Sequence, residues 1–191
     1  PMGELLALER SSTSHCGDLS NLEGLAQTVR QFRPDVVVNA AAYTAVDKAE
    51  TDSQTAFLVN ELAPEALSSV CAATGAYLVH FSTDYVFDGS GQKPWLETDA
   101  AGPVNVYGHS KLAGEKGIAE QGAKHVIFRT SWVYGTEGGN FAKTMLRLAQ
   151  ERERMTVIND QFGAPTGAAL LADVTALALQ ASRPLAGIYH L

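Results

Sequence analysis

Cysteine is scarce in this chain. Cys16 and Cys71 are the only two in 191 residues, with no CxxC spacing and no clustered histidines. That removes a disulfide framework or a structural zinc site as the organising device, and both thiols are expected to be buried and inert. Basic charge is also in deficit: 14 Lys and Arg face 21 Asp and Glu, for a formal charge of −7. A protein that neutralises a nucleic-acid backbone needs a basic face, so no nucleic-acid partner is expected and small-molecule partners fit better. No apolar run approaches the roughly 18 residues of a spanning helix, and no basic stretch followed by an apolar core opens the chain, so no membrane association is expected. A soluble, reducing, cytoplasmic setting follows as the default. What is present is apolar material: 46% of residues are hydrophobic and 18% charged, enough for one well-buried domain.

Short apolar runs alternate with stretches of helical period, the pattern of a parallel sheet covered on both faces by helices. The expected fold class is therefore α/β, a Rossmann-like doubly wound sheet. Leu5 to Leu8 read as a first strand ending at Glu9. Leu22, Leu25, Ala26, Val29 and Phe32 recur at helical spacing, and Pro34 stops that helix. Asp35 to Asn39 read as a strand buried on both faces. Helical stretches follow over Thr55 to Val59 and Pro64 to Ala73, the latter closed by Gly75. Further strands are expected at Tyr77 to Ser82, His125 to Thr130, Met155 to Ile158 and Ile188 to His190. Helices are expected from Tyr107 to about Ala119, Asn140 to Gln150 and Ala168 to Ala181. The Gly- and Pro-rich segment from Asp88 to Val104 reads as a long loop near a site.

Tyr107 and Lys111 are four residues apart, one turn on one helix face. The spacing alone is common, and a surface Tyr beside a surface Lys is its plain reading. Ser82, Thr83 and Asp84 change the context, because they lie where a strand becomes a loop, the end of a parallel sheet at which ligands bind. Reducing a ketone needs a hydride on carbon and a proton on the developing alkoxide, and a phenol can give the proton. Its ordinary pKa near 10 is too high, and a nearby ammonium is expected to lower it.

At these residues a resemblance becomes specific. NAAAYTAVDKAE at 39–50, VN at 59–60, FSTDYVFDG at 81–89 and NVYGHSKLAGE at 105–115 resemble the extended short-chain dehydrogenases. FRTSWVYG at 128–135, NFAKTML at 140–146 and VINDQFGAPTG at 157–167 resemble the dTDP-4-dehydrorhamnose reductase family, and the similarity runs over nearly the whole chain. The resemblance implies reduction of a 4-keto, dTDP-linked sugar by NADH or NADPH to give dTDP-L-rhamnose. It makes Tyr107 the acid, Lys111 its partner and a ribose ligand, and Thr83 the third polar group. Asp84 and Trp132 would contact the sugar nucleotide, against readings of a loop-capping carboxylate and a core aromatic. Glu9 would meet the adenosine ribose, disfavouring a 2′-phosphate and pointing to NADH, with a plain surface glutamate as the other reading. Asp18 and Leu19 would flank the adenine. Ala41, Ala42, Tyr43 and Thr44 would lie against the cofactor, as would Phe81; tight packing between helix and sheet also explains the small residues.

The same resemblance leaves two rivals. One is an epimerase or dehydratase of the superfamily, which would share Tyr107 and Lys111. The other is a non-catalytic regulatory subunit like the methionine adenosyltransferase β subunit. The family's opening GxxGxxG turn does not occur before Glu4, so residues 1–191 are expected to be an NAD(P)-binding core that lacks the first βα unit and most of a substrate domain. Unpaired inner sheet edges and weak dinucleotide binding by the isolated chain are the corresponding expectations. A homodimer is compatible with the family, and no metal site is expected, the five histidines being scattered.

Overall fold

The computed structural model describes residues 3–191. Its elements in chain order are α1 (Leu22–Phe32), β1 (Val36–Asn39), α2 (Val46–Ala49), α3 (Ser53–Phe57), a π-helical turn (Leu58–Leu62), α4 (Ala63–Thr74), β2 (Tyr77–Thr83), a 3₁₀ turn (Asp84–Val86), α5 (Val106–Glu120), β3 (His125–Thr130), β4 (Val133–Tyr134), α6 (Phe141–Glu151), β5 (Thr166–Gly167), α7 (Ala168–Gln180) and β6 (Gly187–His190). The main sheet is parallel, in the order β1-β2-β3-β6.

Helices end where the chain chemistry dictates. Asn21, Asn105 and Asn140 each accept a backbone N–H of the first turn of α1, α5 and α6, satisfying donors that have no partner within the helix. Gly75 closes α4 at φ 81°, a conformation open to glycine at little cost.

Alternation along β2 sends its side chains to two separate cores. Leu78 joins Leu25, Val29, Leu67, Val70, Ile118 and Ile127 under α1, α4 and α5. Val79 joins Val126 and Phe128 on the other face, against Ala178 and Leu179 of α7. Helices on both faces of a parallel sheet bear out the expected fold class.

Three expectations are corrected. Leu5–Leu8 form no strand, and Leu5 is 85% exposed; an apolar run becomes a strand only beside a partner that takes up its backbone N–H and C=O groups, and no described strand stands there. β1 is in consequence an edge strand, and Val38, expected inside on both faces, is exposed. Met155–Ile158 also form no strand, and Met155, Val157 and Ile158 are exposed for the same reason. A two-stranded parallel pair, β4 with β5, was not legible, because two residues carry no period.

Candidate active site

The carboxyl end of β2 and the first turns of α5 meet closely. A Cβ on Gly108 would lie 2.2 Å from the Tyr85 carbonyl oxygen, and one on Gly114 would lie 2.1 Å from that of Asn60. Glycine at both positions lets α5 lie directly on the 3₁₀ turn and on the π-helical turn. Such π turns often mark functional sites, and this one is anchored by Asn60. Its Oδ1 accepts from the Tyr43 N–H, while its Nδ2 donates to the Tyr43 carbonyl and to Ser110 Oγ at 3.0 Å. Ser110 Oγ in turn donates to the Tyr107 carbonyl. The Ala41–Thr44 segment and the Tyr107 turn are thus tied to one buried amide.

Four of the expected site residues converge. Tyr107, Thr83 and Lys111 are buried and Asp84 is half-buried. The Thr83 hydroxyl donates to Asp84 Oδ1 at 3.1 Å and accepts from the Tyr85 N–H. Tyr107 packs edge-on against Tyr85, ring centres 5.5 Å apart. Burial pushes the Asp84 carboxyl above its ordinary range, opposed by hydrogen bonds from Thr83 and from the backbone.

Lys111 reaches the same region from α5. Its Nζ donates to the Phe81 carbonyl at 2.6 Å and lies 3.3 Å from His80 Nε2. Burial raises the Tyr107 phenol above its ordinary value; Thr83 opposes this, and the negative fields of Asp84 and Tyr85 add to it. The Lys111 amine is thus engaged on the side of the sheet. Burial also lowers Lys111 itself to about 8, with Glu115 pulling the other way.

The remaining residues lie elsewhere. Phe81 reaches the site through its carbonyl, while its ring packs on Phe128. Ala41 and Thr44 are exposed, and Ala42 and Tyr43 half-buried. The Tyr43 hydroxyl donates to Asp52. Glu9 is exposed, accepts from Ser11 Oγ and makes no hydrogen bond to the cluster. Asp18 accepts from the Ser20 N–H and hydroxyl, which lower its pKa, and pairs with Arg10 at 3.6 Å. Arg10, Asp18 and Gln31 line a polar cavity of about 450 Å³ in front of α1. Leu19 packs against the core under α1. Trp132 is half-exposed in the left-handed region at φ 45°, and a Cβ on Gly163 would lie 2.7 Å from its ring. For a tryptophan that conformation is strained, a condition that concentrates at ligand sites. Of the two thiols, Cys71 is buried and raised to about 12, whereas Cys16 is only half-buried.

Sequence reading missed several polar groups. His80 sits unexposed inside the apolar run of β2, and Asn39 faces it across the β1–β2 pairing. Thr130 pairs in register with Thr83 and shares its face, and its hydroxyl, like that of Ser82, is buried without a partner among the described residues. Orphaned buried hydroxyls at the carboxyl end of a parallel sheet are the places a polar ligand would satisfy. The signal available was a histidine in a strand whose neighbours are all apolar.

Known proteins resemble the whole chain. The family model described as RmlD substrate binding domain matches residues 3–191. The dTDP-4-dehydrorhamnose reductases of Shigella flexneri and Escherichia coli K12 are 61% and 60% identical over the full chain. The chain spans 65% of the length of each. A crystal structure of dTDP-4-dehydrorhamnose reductase from Bacillus anthracis in complex with NADP superposes with a TM-score of 0.87 at 40% identity, covering 91% of this chain and 61% of that one. A dTDP-glucose 4,6-dehydratase from Streptomyces venezuelae, at 21% identity and a TM-score of 0.78, shares the fold.

Proposed function

We propose, from the premise that this chain belongs to the RmlD substrate binding domain family, that the protein containing it reduces the 4-keto group of dTDP-4-dehydro-L-rhamnose to dTDP-L-rhamnose with NADH or NADPH. The observation that carries the reading is the convergence of Thr83, Tyr107 and Lys111 at the carboxyl end of β2. Residues 1–191 serve as the NAD(P)-binding core, and a cytoplasmic setting suits such a biosynthetic step.

The residues present fit the cofactor. Lys111 Nζ has three bonding directions beyond its stem, and the Phe81 carbonyl and His80 engage two, leaving one N–H for a ribose hydroxyl. The orphaned Thr130 hydroxyl adds a polar group beside Thr83. A reduced nicotinamide, when bound, supplies the hydride to the ketone carbon. Thr83 turns its hydroxyl hydrogen from Asp84 to the ketone oxygen, and Tyr107 transfers its phenolic proton to that oxygen as negative charge develops there. Asp84 and Trp132 hold the sugar nucleotide. Glu9, Asp18, Leu19 and the Ala41–Thr44 segment form the adenosine and backbone side of the cofactor site, where Arg10 pairs with Asp18.

The test is incubation of the protein with dTDP-4-keto-6-deoxy sugar and NADH or NADPH. Stoichiometric cofactor consumption is expected. Sugar conversion without net cofactor consumption would favour an epimerase or dehydratase, and no conversion would favour a regulatory subunit.

A further inference from the structure

Three buried side chains run in a row from β1 through β2 to α5. Asn39 Nδ2 lies 3.2 Å from His80 Nδ1, and His80 Nε2 lies 3.3 Å from Lys111 Nζ. Asn39 is 5%, His80 0% and Lys111 1% exposed, so water does not mediate between them from outside. The far end of the row fixes its polarity. Asn39 Oδ1 accepts from the Ala41 N–H at 3.3 Å, which leaves the amide NH₂ facing the imidazole. An NH₂ can only donate, so His80 Nδ1 must accept, and in a neutral imidazole the hydrogen then sits on Nε2. Burial holds His80 well below its ordinary pKa, which keeps the ring neutral. An Nε2–H therefore faces Lys111. A neutral amine has the lone pair to accept it; an ammonium has three donors and none.

We propose that Asn39 and His80 are positioning residues that act through Lys111, making the charge of its amine depend on which ring nitrogen of His80 carries the hydrogen. The inference rests on the reading that Lys111 serves the reductase site. When Lys111 takes up a proton, the Nε2 hydrogen is counted on Nζ and the incoming proton on Nδ1, so one proton is gained in all and no other bond changes. Nδ1–H then needs an acceptor. The Asn39 amide supplies it by turning its oxygen inward, and so gives up the Ala41 N–H. Lysine charging is thereby linked to the segment that would lie against the cofactor.

The elements packed against α5 bring Asp47, Lys48, Glu61, Glu65, Cys71, Tyr77, His80, Asp84, Tyr85, His125 and Arg129, and α5 itself brings Tyr107, His109, Glu115, Lys116 and Glu120. Among these, Glu115 bears on Lys111 and is held by Arg129, while Asp84 bears on Tyr107. His80 is the polar side chain in contact with the amine itself.

The experiment is ¹⁵N spectroscopy of the His80 ring and the Lys111 amine across a pH titration of the protein containing this chain. The Nε2–H form is expected above the lysine transition and the Nδ1–H form below it. Asn39→Asp, which can only accept, should force the Nδ1–H form and raise the lysine transition by about one pH unit, tenfold in proton affinity. His80→Gln, able to present either amide end, should retain the parent lysine transition. In Asn39→Asp combined with His80→Gln the upward shift should shrink by more than half. A single His80 tautomer throughout the lysine titration, or an undiminished Asn39→Asp shift in the double variant, would overturn the proposal. Because these signals need no turnover, loss of NADH consumption alongside an intact tautomer switch sinks the reductase reading instead.

Discussion

Two regions of the molecule are built in opposite ways. Between Asn39 and Thr130, the buried charges are held by partners: Arg129 grips Glu115 through two hydrogen bonds of 2.9 and 2.6 Å, and Lys111 donates to the Phe81 carbonyl in the core. Between Trp132 and Phe162 the reverse holds. α6 has no buried residue, and Phe141, Leu146 and Phe162 face outward. The difference teaches that the part of the candidate site carrying Thr83, Tyr107 and Lys111 is fixed by the sheet, whereas the part that would face a sugar nucleotide gains little of its order from this core.

The largest break in that contrast is chemical. Tyr107→Phe should lower turnover by about 10²- to 10⁴-fold, the usual contribution of a positioned acid, with cofactor affinity within twofold; steady-state kinetics and a binding titration check both. Next is the ion pair. Glu115→Ala leaves the Arg129 charge buried and should cost about 3 to 5 kcal/mol by chemical denaturation, whereas Glu151→Ala, which breaks the exposed Arg147 pair, should cost under about 1 kcal/mol. Equal losses would erase the comparison.

Lys111 sharpens it through pH. The unfolded lysine holds its proton to its ordinary 10.5, and the folded one to about 8. Between these values the unfolded state binds more protons, so stability rises with pH across the window, and the burden is fully present below 8. Lys111→Met should abolish that rise, about 3 kcal/mol in the parent-minus-variant difference between pH 8 and 10.5. The smallest effect belongs to the open region. Phe162→Ser, at a residue 93% exposed, should change the stability of this chain by no more than about 0.5 kcal/mol.

Legibility followed the same division. α1 and β3 fall where their apolar spacing placed them, and α5 begins one residue before Tyr107. These elements bury the faces that carry their period. Leu5–Leu8 and Met155–Ile158 had comparable runs but no strand to pair with, and an apolar run does not state its neighbour. Thr83, Tyr107 and Lys111 were legible because one lies at a strand end and two lie a helical turn apart. His80 was not, since in sequence it looks like an interruption of an apolar strand.

Sequence by itself determined the α/β order, the helix ends set by Asn21, Asn105, Asn140 and Gly75, and the one-turn spacing of phenol and amine, because these depend on residues close together in the chain. Only tertiary structure decided that the amine faces His80 and the Phe81 carbonyl. That outcome depends on the register of β1 on β2 and on glycines that let α5 approach, and long-range pairing leaves no local period to read.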